Sequence, residues 1–355
     1  MINVIKLIDY TFQSKSQLED AYDDSNSMRY LDPNLNVIVI GRYAQDKPSV
    51  HSVENDKYRY SVIFLPSTYS AEEVIKFIES LSPDVLHMHG NHGWPAYPVY
   101  AKHFNHMLSR PKMIFSPAGS SCGTPDFLWN FDYIIVNHKD QIKRMKVAPG
   151  YEHKVIVRKR SADPNIFYPM KGEKFWDFVY VAGFVPVKRL DLMIDTVAKT
   201  PYSMVILGDF ARTKAHYGFI KKYIEDKGVF NRVDLYDFIP QKTLAKFLSN
   251  CKCFVWPNIK PENPETTTNR SAIEALACGM PLLLGERAFR NSEFIIDGYN
   301  GFKYHNDEKF RVYADEILNE KYCTQYRVNS SRQNENFNFK TNFINFYNKL
   351  YGGWS

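Results

Sequence analysis

The 355-residue chain lacks any uninterrupted apolar run of the ~18 residues that a membrane-spanning helix needs. Its opening, MINVIKLIDY, meets Asp9 too early for the apolar core of a secretory signal, so no export signal is expected. Cysteine is scarce. Cys122, Cys251, Cys253, Cys278 and Cys323 are odd in number and fit no zinc-ligand spacing, and a reducing cytoplasmic compartment is the simplest reading. A strong charge of one sign is missing as well. The 45 Lys and Arg against 39 Asp and Glu leave a net +6, compatible with an anionic ligand, an anionic membrane surface or nucleic acid without selecting one. The densest basic clusters, KDQIKRMK (139–146) and KVIVRKR (154–160), read as solvated faces.

What is present is an ordinary globular composition, 44% hydrophobic and 24% charged, with aromatics raised to 15%. The length exceeds one ordinary core and implies two domains. Short apolar runs recur as candidate buried strands: NVIKLI (3–8), NVIVI (36–40), YSVIFL (60–65), DVLHMH (84–89), KMIFS (112–116), DYIIVN (132–137) and KVIV (154–157). Helical patterns lie between several of them, such as AEEVIKFIESL (71–81) with Ser70 as its N-cap. PNIFYPM (164–170) and KGEK break the series as a linker. A second series follows: FVYVAG (178–183), SMVILGD (203–209), RVDLYDF (232–238), CFVWP (253–257), MPLLLG (280–285) and FKY (302–304), with helices near 188–199, 213–227, 241–250 and 268–278. Alternating strands and helices mean parallel sheets covered on both faces. The expected organisation is a domain over 1–168, a second over 169–335, and a last amphipathic helix within 336–355 that packs back on the first. Ligands of such sheets bind at the carboxyl ends of strands, here in a cleft between the domains.

Three stretches of the second domain carry chemistry. In VYVAGFVPVKRLDLMIDT (179–196) a strand runs into a loop, with Lys188 and Arg189 at or near a helix start. A cation beside unsatisfied N–H groups makes an anion site, against the plainer reading of a solvent-facing pair. In ENPETTTNRSAIEALACGMPLLLG (262–285) the Thr266–Thr268 run can cap a helix that stops around Gly279-Met280-Pro281. Arg270 and Glu274, four apart, share a face, either as an exposed ion pair or with Glu274 reaching a sugar diol below N–H groups near Thr267 to Asn269. In NSEFIIDGYNGFKY (291–304), Asp297-Gly298 and Asn300-Gly301 mark turns.

Together these motifs resemble the carboxyl-terminal domain of retaining glycosyltransferases of family 4, which have the GT-B fold of two Rossmann-like domains facing a central cleft. The resemblance spans roughly residues 165 to 305, and DVLHMHG (84–90) is similar to the family's "DVVHxHG" strand. It implies transfer of a sugar, with retention of anomeric configuration and without a metal, from a nucleotide-diphosphate sugar held by the second domain. No cofactor is expected beyond that donor. Lys188 matches the family lysine on the diphosphate, and Glu274 matches the second glutamate of its E-x7-E motif, on the donor ribose. Thr266 stands where the first glutamate is expected. Glu265, one residue early, is expected to replace it through a shifted loop, giving Lys188, Glu265 and Glu274 as the catalytic set. Donor contacts are further expected from Gly183, Arg189, Gly208, Asp209, Thr266, Thr267, Thr268, Asn269 and Arg270. Gly183 stands where the family has an arginine, and Arg189 is the candidate replacement cation. The family's glycine-rich loop after the first strand is replaced by DYTFQSKSQ (9–17), and Ala118 stands where a histidine precedes Gly119. On the acceptor side the expected residues are His89, His92 and Gly119, with His87 read as a hydrogen-bonded core histidine. A metal site among these histidines is not expected.

The expected acceptor is a saccharide or a lipid-linked saccharide, with peripheral contact to an anionic membrane. A nucleic-acid acceptor is the alternative, and it would bind with steep salt dependence. Two other functions compete: a nucleotide-sugar epimerase of the same fold, which needs no acceptor, and an inactive nucleotide-sugar binder, for which the Thr266 and Gly183 departures argue.

Overall fold

The computed structural model describes residues 1–12, 25–55, 58–90, 95–117, 125–139, 141–142, 150–184, 186–208, 214–257, 269–286 and 292–353. The chain divides into two compact units, Met1–Lys159 with Lys340–Ser355, and Arg160–Phe339. The first boundary falls before PNIFYPM because Ile166 and Phe167 are buried in the second unit's core.

The first unit is an eight-stranded sheet in the order β3-β4-β2-β1-β5-β6-β7-β8. Its strands are β1 (Ile2–Phe12), β2 (Leu35–Tyr43), β3 (Ser49–Asn55), β4 (Tyr58–Pro66), β5 (Val85–Gly90), β6 (Lys112–Pro117), β7 (Tyr133–Val136) and β8 (Val155–Val157). All neighbours are parallel except β3 and β4. The edge strand β3 has no counterpart among the sequence expectations. SVHSVEN carries no continuous apolar run, and an edge strand needs one partner only. Helix α1 (Ala71–Ser80) begins with the expected cap: Ser70 Oγ accepts from Glu73 N, and Glu73 returns a carboxylate to Ser70 N. Its buried Val74, Ile75 and Ile78 join α2 (Ala96–Asn105) over one sheet face, onto which Ile5, Leu7, Leu86 and Met88 point.

The opposite face carries Lys6 and His87, both fully buried. The tail covers it as a π-helical turn, Lys340–Asn345, followed by an α-helix, Phe346–Gly352, rather than one continuous amphipathic helix. The Lys6 ammonium lies 6.0 Å from the Tyr347 ring, and the Arg158 guanidinium 5.2 Å from that ring and 5.6 Å from Phe343. His87 bridges the Tyr351 hydroxyl (2.6 Å) and the Ser116 hydroxyl (2.7 Å). It is a hydrogen-bonded core histidine with both ring nitrogens engaged, so it is not poised to hold a metal.

The second unit is a six-stranded, wholly parallel sheet in the order β11-β10-β9-β12-β13-β14. Its strands are β9 (Trp176–Val181), β10 (Met204–Leu207), β11 (Val233–Tyr236), β12 (Cys251–Trp256), β13 (Leu282–Gly285) and β14 (Gly301–Tyr304). The helices are α4 (Leu190–Ala198), α5 (Lys214–Asp226), α6 (Gln241–Ser249), α7 (Arg270–Ala277), α8 (Asp307–Leu318) and α9 (Glu320–Asn334), numbered after the short α3 (Pro125–Leu128) of the first unit. The chain runs outward from β9 to β11, then returns to β12 on the other side of β9. The strand order therefore reverses between β9 and β12, and ligands of doubly wound sheets bind beyond the carboxyl ends at that point. Cys251, Cys253, Cys278 and Cys323 are free thiols; burial pushes those of Cys251 and Cys278 up to about 12, so neither is a thiolate near neutral pH.

Candidate active site

At the carboxyl end of β9 the chain passes Gly183 and makes a single 3-10 turn, Pro186–Lys188. It then enters α4 through Arg189, whose backbone is left-handed at φ 48°. Two aromatic side chains hold this turn. The fully buried Tyr180 donates its hydroxyl to the Lys188 carbonyl at 2.7 Å, and the Lys188 ammonium sits 5.7 Å from the centre of the Trp256 ring. Burial raises the Tyr180 hydroxyl well above its ordinary pKa, so it is a permanent donor. Trp256 ends β12 and packs on Tyr180 with ring centroids 5.0 Å apart, while the Tyr304 hydroxyl donates to its carbonyl at 2.9 Å. Residues from β9, β12 and β14 thus place Lys188 at the carboxyl edge, beside the strand-order reversal.

Arg189 is engaged differently. Its guanidinium grips Asp191 through Nε at 3.0 Å and a terminal nitrogen at 2.7 Å, and this hydrogen bond raises its pKa further. Burial alone would raise the Asp191 carboxyl, but the bond to Arg189 and its charge outweigh that and hold it below the usual range. The arginine's charge is therefore already met within the protein. At Gly183 an added Cβ would meet nothing within 4 Å among the described residues, at the position where the resemblance leads one to expect an arginine.

Helix α7 approaches the same edge. Its cap is Asn269, not the Thr266–Thr268 run. Asn269 Oδ1 accepts from Ser271 N at 2.8 Å, Ala272 N at 3.4 Å and Ser271 Oγ at 2.6 Å. A carboxamide at the N-cap reaches the second and third N–H groups of the helix, which makes Asn269 the stopping point. The Ser271 hydroxyl also donates to the Val181 carbonyl at 2.9 Å, tying the start of α7 to the end of β9. With two first-turn donors capped internally, α7 offers an anion fewer N–H groups than a bare helix end. One turn deeper, Glu274 is only 6% exposed and accepts from Arg270 Nε at 2.8 Å. This burial removes the reading of an exposed pair. The helix closes at Gly279, φ +69°, where a Cβ would lie 2.8 Å from Ser331 Oγ.

Gly208, just past β10, is required for a different reason. A Cβ there would lie 2.1 Å from the Ala182 carbonyl oxygen and 2.6 Å from the Phe184 ring. Gly208→Ala should push aside the β9–α4 connection that carries Lys188. The expected outcome is a melting temperature lower by several degrees and weaker nucleoside-diphosphate binding; unchanged values of both would show that the connection yields freely.

In the first unit, His89 is the penultimate residue of β5, 6% exposed, and its carbonyl accepts from the Tyr97 hydroxyl. Glu265, Thr266, Thr267, Thr268, Asp209, His92 and Gly119 lie outside the described residues. One cluster was missed by sequence reasoning. Asp9 on β1 pairs with Arg42 on β2, and Arg42 also donates to Tyr69 O at 2.6 Å and to the Tyr100 hydroxyl at 3.1 Å. The Tyr100 hydroxyl returns to Asp9 at 2.7 Å. Burial first, then the Asp9 charge, raises the Tyr100 pKa. Asp9 ends the opening apolar run, but nothing local marks Arg42 and Tyr100 as its partners. With side-chain exposures of 7% and 13%, breaking this pair leaves a buried charge. Arg42→Ala should therefore cost about 3–5 kcal/mol by denaturant unfolding.

Residues 163–336 match the family model described as Glycosyl transferases group 1. The chain carries a glycosyltransferase domain. It is 25% identical over 264 residues to an uncharacterized glycosyltransferase of Methanocaldococcus jannaschii, covering 71% of this chain and 69% of that protein. Sucrose-phosphate synthase from Thermosynechococcus elongatus superposes with a TM-score of 0.75 at 14% identity, covering 99% of this chain and all of the other. Anabaena HepE, solved with UDP and glucose, gives 0.72 at 14% identity and the same coverage. The fold is GT-B, with two α/β units built on largely parallel sheets. Among its described residues no helix is long and apolar enough to cross a membrane.

Proposed function

We propose that this glycosyltransferase moves a hexose from a nucleotide-diphosphate sugar to an acceptor hydroxyl with retention, without a metal ion or other cofactor. The observation that carries the reading is the convergence of Lys188 and the start of α7 on the carboxyl edge beside the β9–β12 reversal. Lys188 stabilises charge developing on the leaving diphosphate, an electrostatic task that needs no glycosidase-like carboxylate pair. Glu274 accepts from the donor ribose while Arg270 fixes its orientation. Glu265 serves the sugar. The leaving phosphate helps to deprotonate the acceptor hydroxyl, in a front-face reaction. Neighbouring structures named for complexes with UDP and UDP-glucose support a nucleotide-sugar donor here, and others named with fondaparinux or GlcNAc support a saccharide acceptor. The acceptor, free or lipid-linked, is assigned to the first unit, with His89, His92 and Gly119 on that side.

A melting-temperature screen across nucleotide-diphosphate sugars tests this without knowledge of the acceptor. A ligand at 100 times its Kd stabilises the folded state by ~2.7 kcal/mol, so the correct donor stands out as a shift of several degrees. A flat response across the uridine, guanosine, adenosine and thymidine diphosphate sugars would refute the proposal. Product formed from donor alone would favour the epimerase instead.

A further inference from the structure

We infer that Trp256 is a positioning residue for Lys188, holding its ammonium toward the donor diphosphate through the indole face; the inference rests on the donor-site reading above. An aromatic face attracts an ammonium through the ring quadrupole. The Lys188 ammonium lies 5.7 Å from the Trp256 centroid, within the ~6 Å range of that attraction.

The ring itself is fixed. Trp256 is 2% exposed, wedged against Tyr180, and its carbonyl is held by the Tyr304 hydroxyl. Tyr180 also holds the backbone of Lys188, so one aromatic pair anchors both ends of the lysine. A lysine side chain has four rotatable bonds, and restricting them before the ligand arrives removes an ordering cost from binding. β12 thus contributes to diphosphate recognition through its last residue, with no group on the ligand itself.

The test is calorimetric titration of a nucleoside diphosphate, chosen among UDP, GDP and ADP by the melting-temperature screen. It is run into the full-length wild type, Trp256→Phe, Trp256→Leu, Lys188→Ala and the Lys188→Ala/Trp256→Leu double variant, with melting temperatures recorded for each. Trp256→Phe keeps a π face and should bind within about threefold of wild type, whereas Trp256→Leu should bind about tenfold more weakly. In the Lys188→Ala background the leucine substitution should cost nothing further. Equal losses in the Phe and Leu variants would overturn the inference, as would a Trp256→Leu loss that persists undiminished without Lys188. Wild-type affinity in Lys188→Ala would instead bring down the donor-site reading, independently of any Trp256 result.

Discussion

Lys188→Ala should reduce sugar transfer by roughly 10²–10³-fold, the scale seen when one preorganised group is removed from developing negative charge. The loss should fall on kcat and on kcat/KM together, because the charge on the diphosphate grows as the glycosyl bond breaks. Stability should change little, since Lys188 is partly exposed and the Tyr180 bond to its backbone carbonyl survives the substitution. Glu274 calls for a gentler replacement. It is buried against Arg270, and Glu274→Ala would strand a guanidinium at a fold-level cost. Glu274→Gln keeps the shape while weakening acceptance from a ribose diol, so it should raise the donor KM at a near-normal melting temperature. Near-normal turnover in both Lys188→Ala and Glu274→Gln would end the proposal, because no other described group is assigned the same two tasks.

The second large effect belongs to the tail. Phe343, Tyr347, Leu350 and Tyr351 are each at most 2% exposed, on the sheet face that holds Lys6 and His87. Burial of a Leu or Phe side chain is worth roughly 1.5–3 kcal/mol, and a whole domain is stable by only ~5–15 kcal/mol. Removing residues 340–355 would also expose Lys6, His87 and Arg158 on one side of the sheet and leave Lys112 without its bond to the Leu350 carbonyl. The truncated chain should not give a folded first unit. Tyr347→Ala is the milder test. It removes the ring facing Lys6, Arg158 and His87 and should cost ~3–5 kcal/mol, a melting-temperature drop of roughly 10 °C. A drop under about 2 °C would show that the tail rests on the sheet without supporting it.

Much of the layout was legible because its signals are local. The apolar runs at 3–8, 36–40, 84–89 and 112–116 became β1, β2, β5 and β6, and those from 178 onward became β9 to β14. Ser70 was readable as a helix start and Gly279 as a helix stop because a cap depends on residues three or four positions away. Lys188 stood out because it follows a strand end and opens a helix. The Thr266–Thr268 run misled for the same local reason: threonine caps helices well, but Asn269 offers a better acceptor one residue later and is itself held by Ser271.

The amino-acid order by itself determined two strand-and-helix series, where most helices start and stop, and a lysine after the first strand of the second series. Tertiary structure alone decided which distant residues complete each site. Trp256 comes to lie beside Lys188 because β12 returns to pair with β9. Arg42 and Tyr100 meet Asp9, and the tail closes over Lys6 and His87, through contacts between segments remote in the chain. The physical reason is that hydrophobic period fixes which face of an element is buried, but not which of several apolar or aromatic partners will cover it. That choice belongs to the packing of the whole unit.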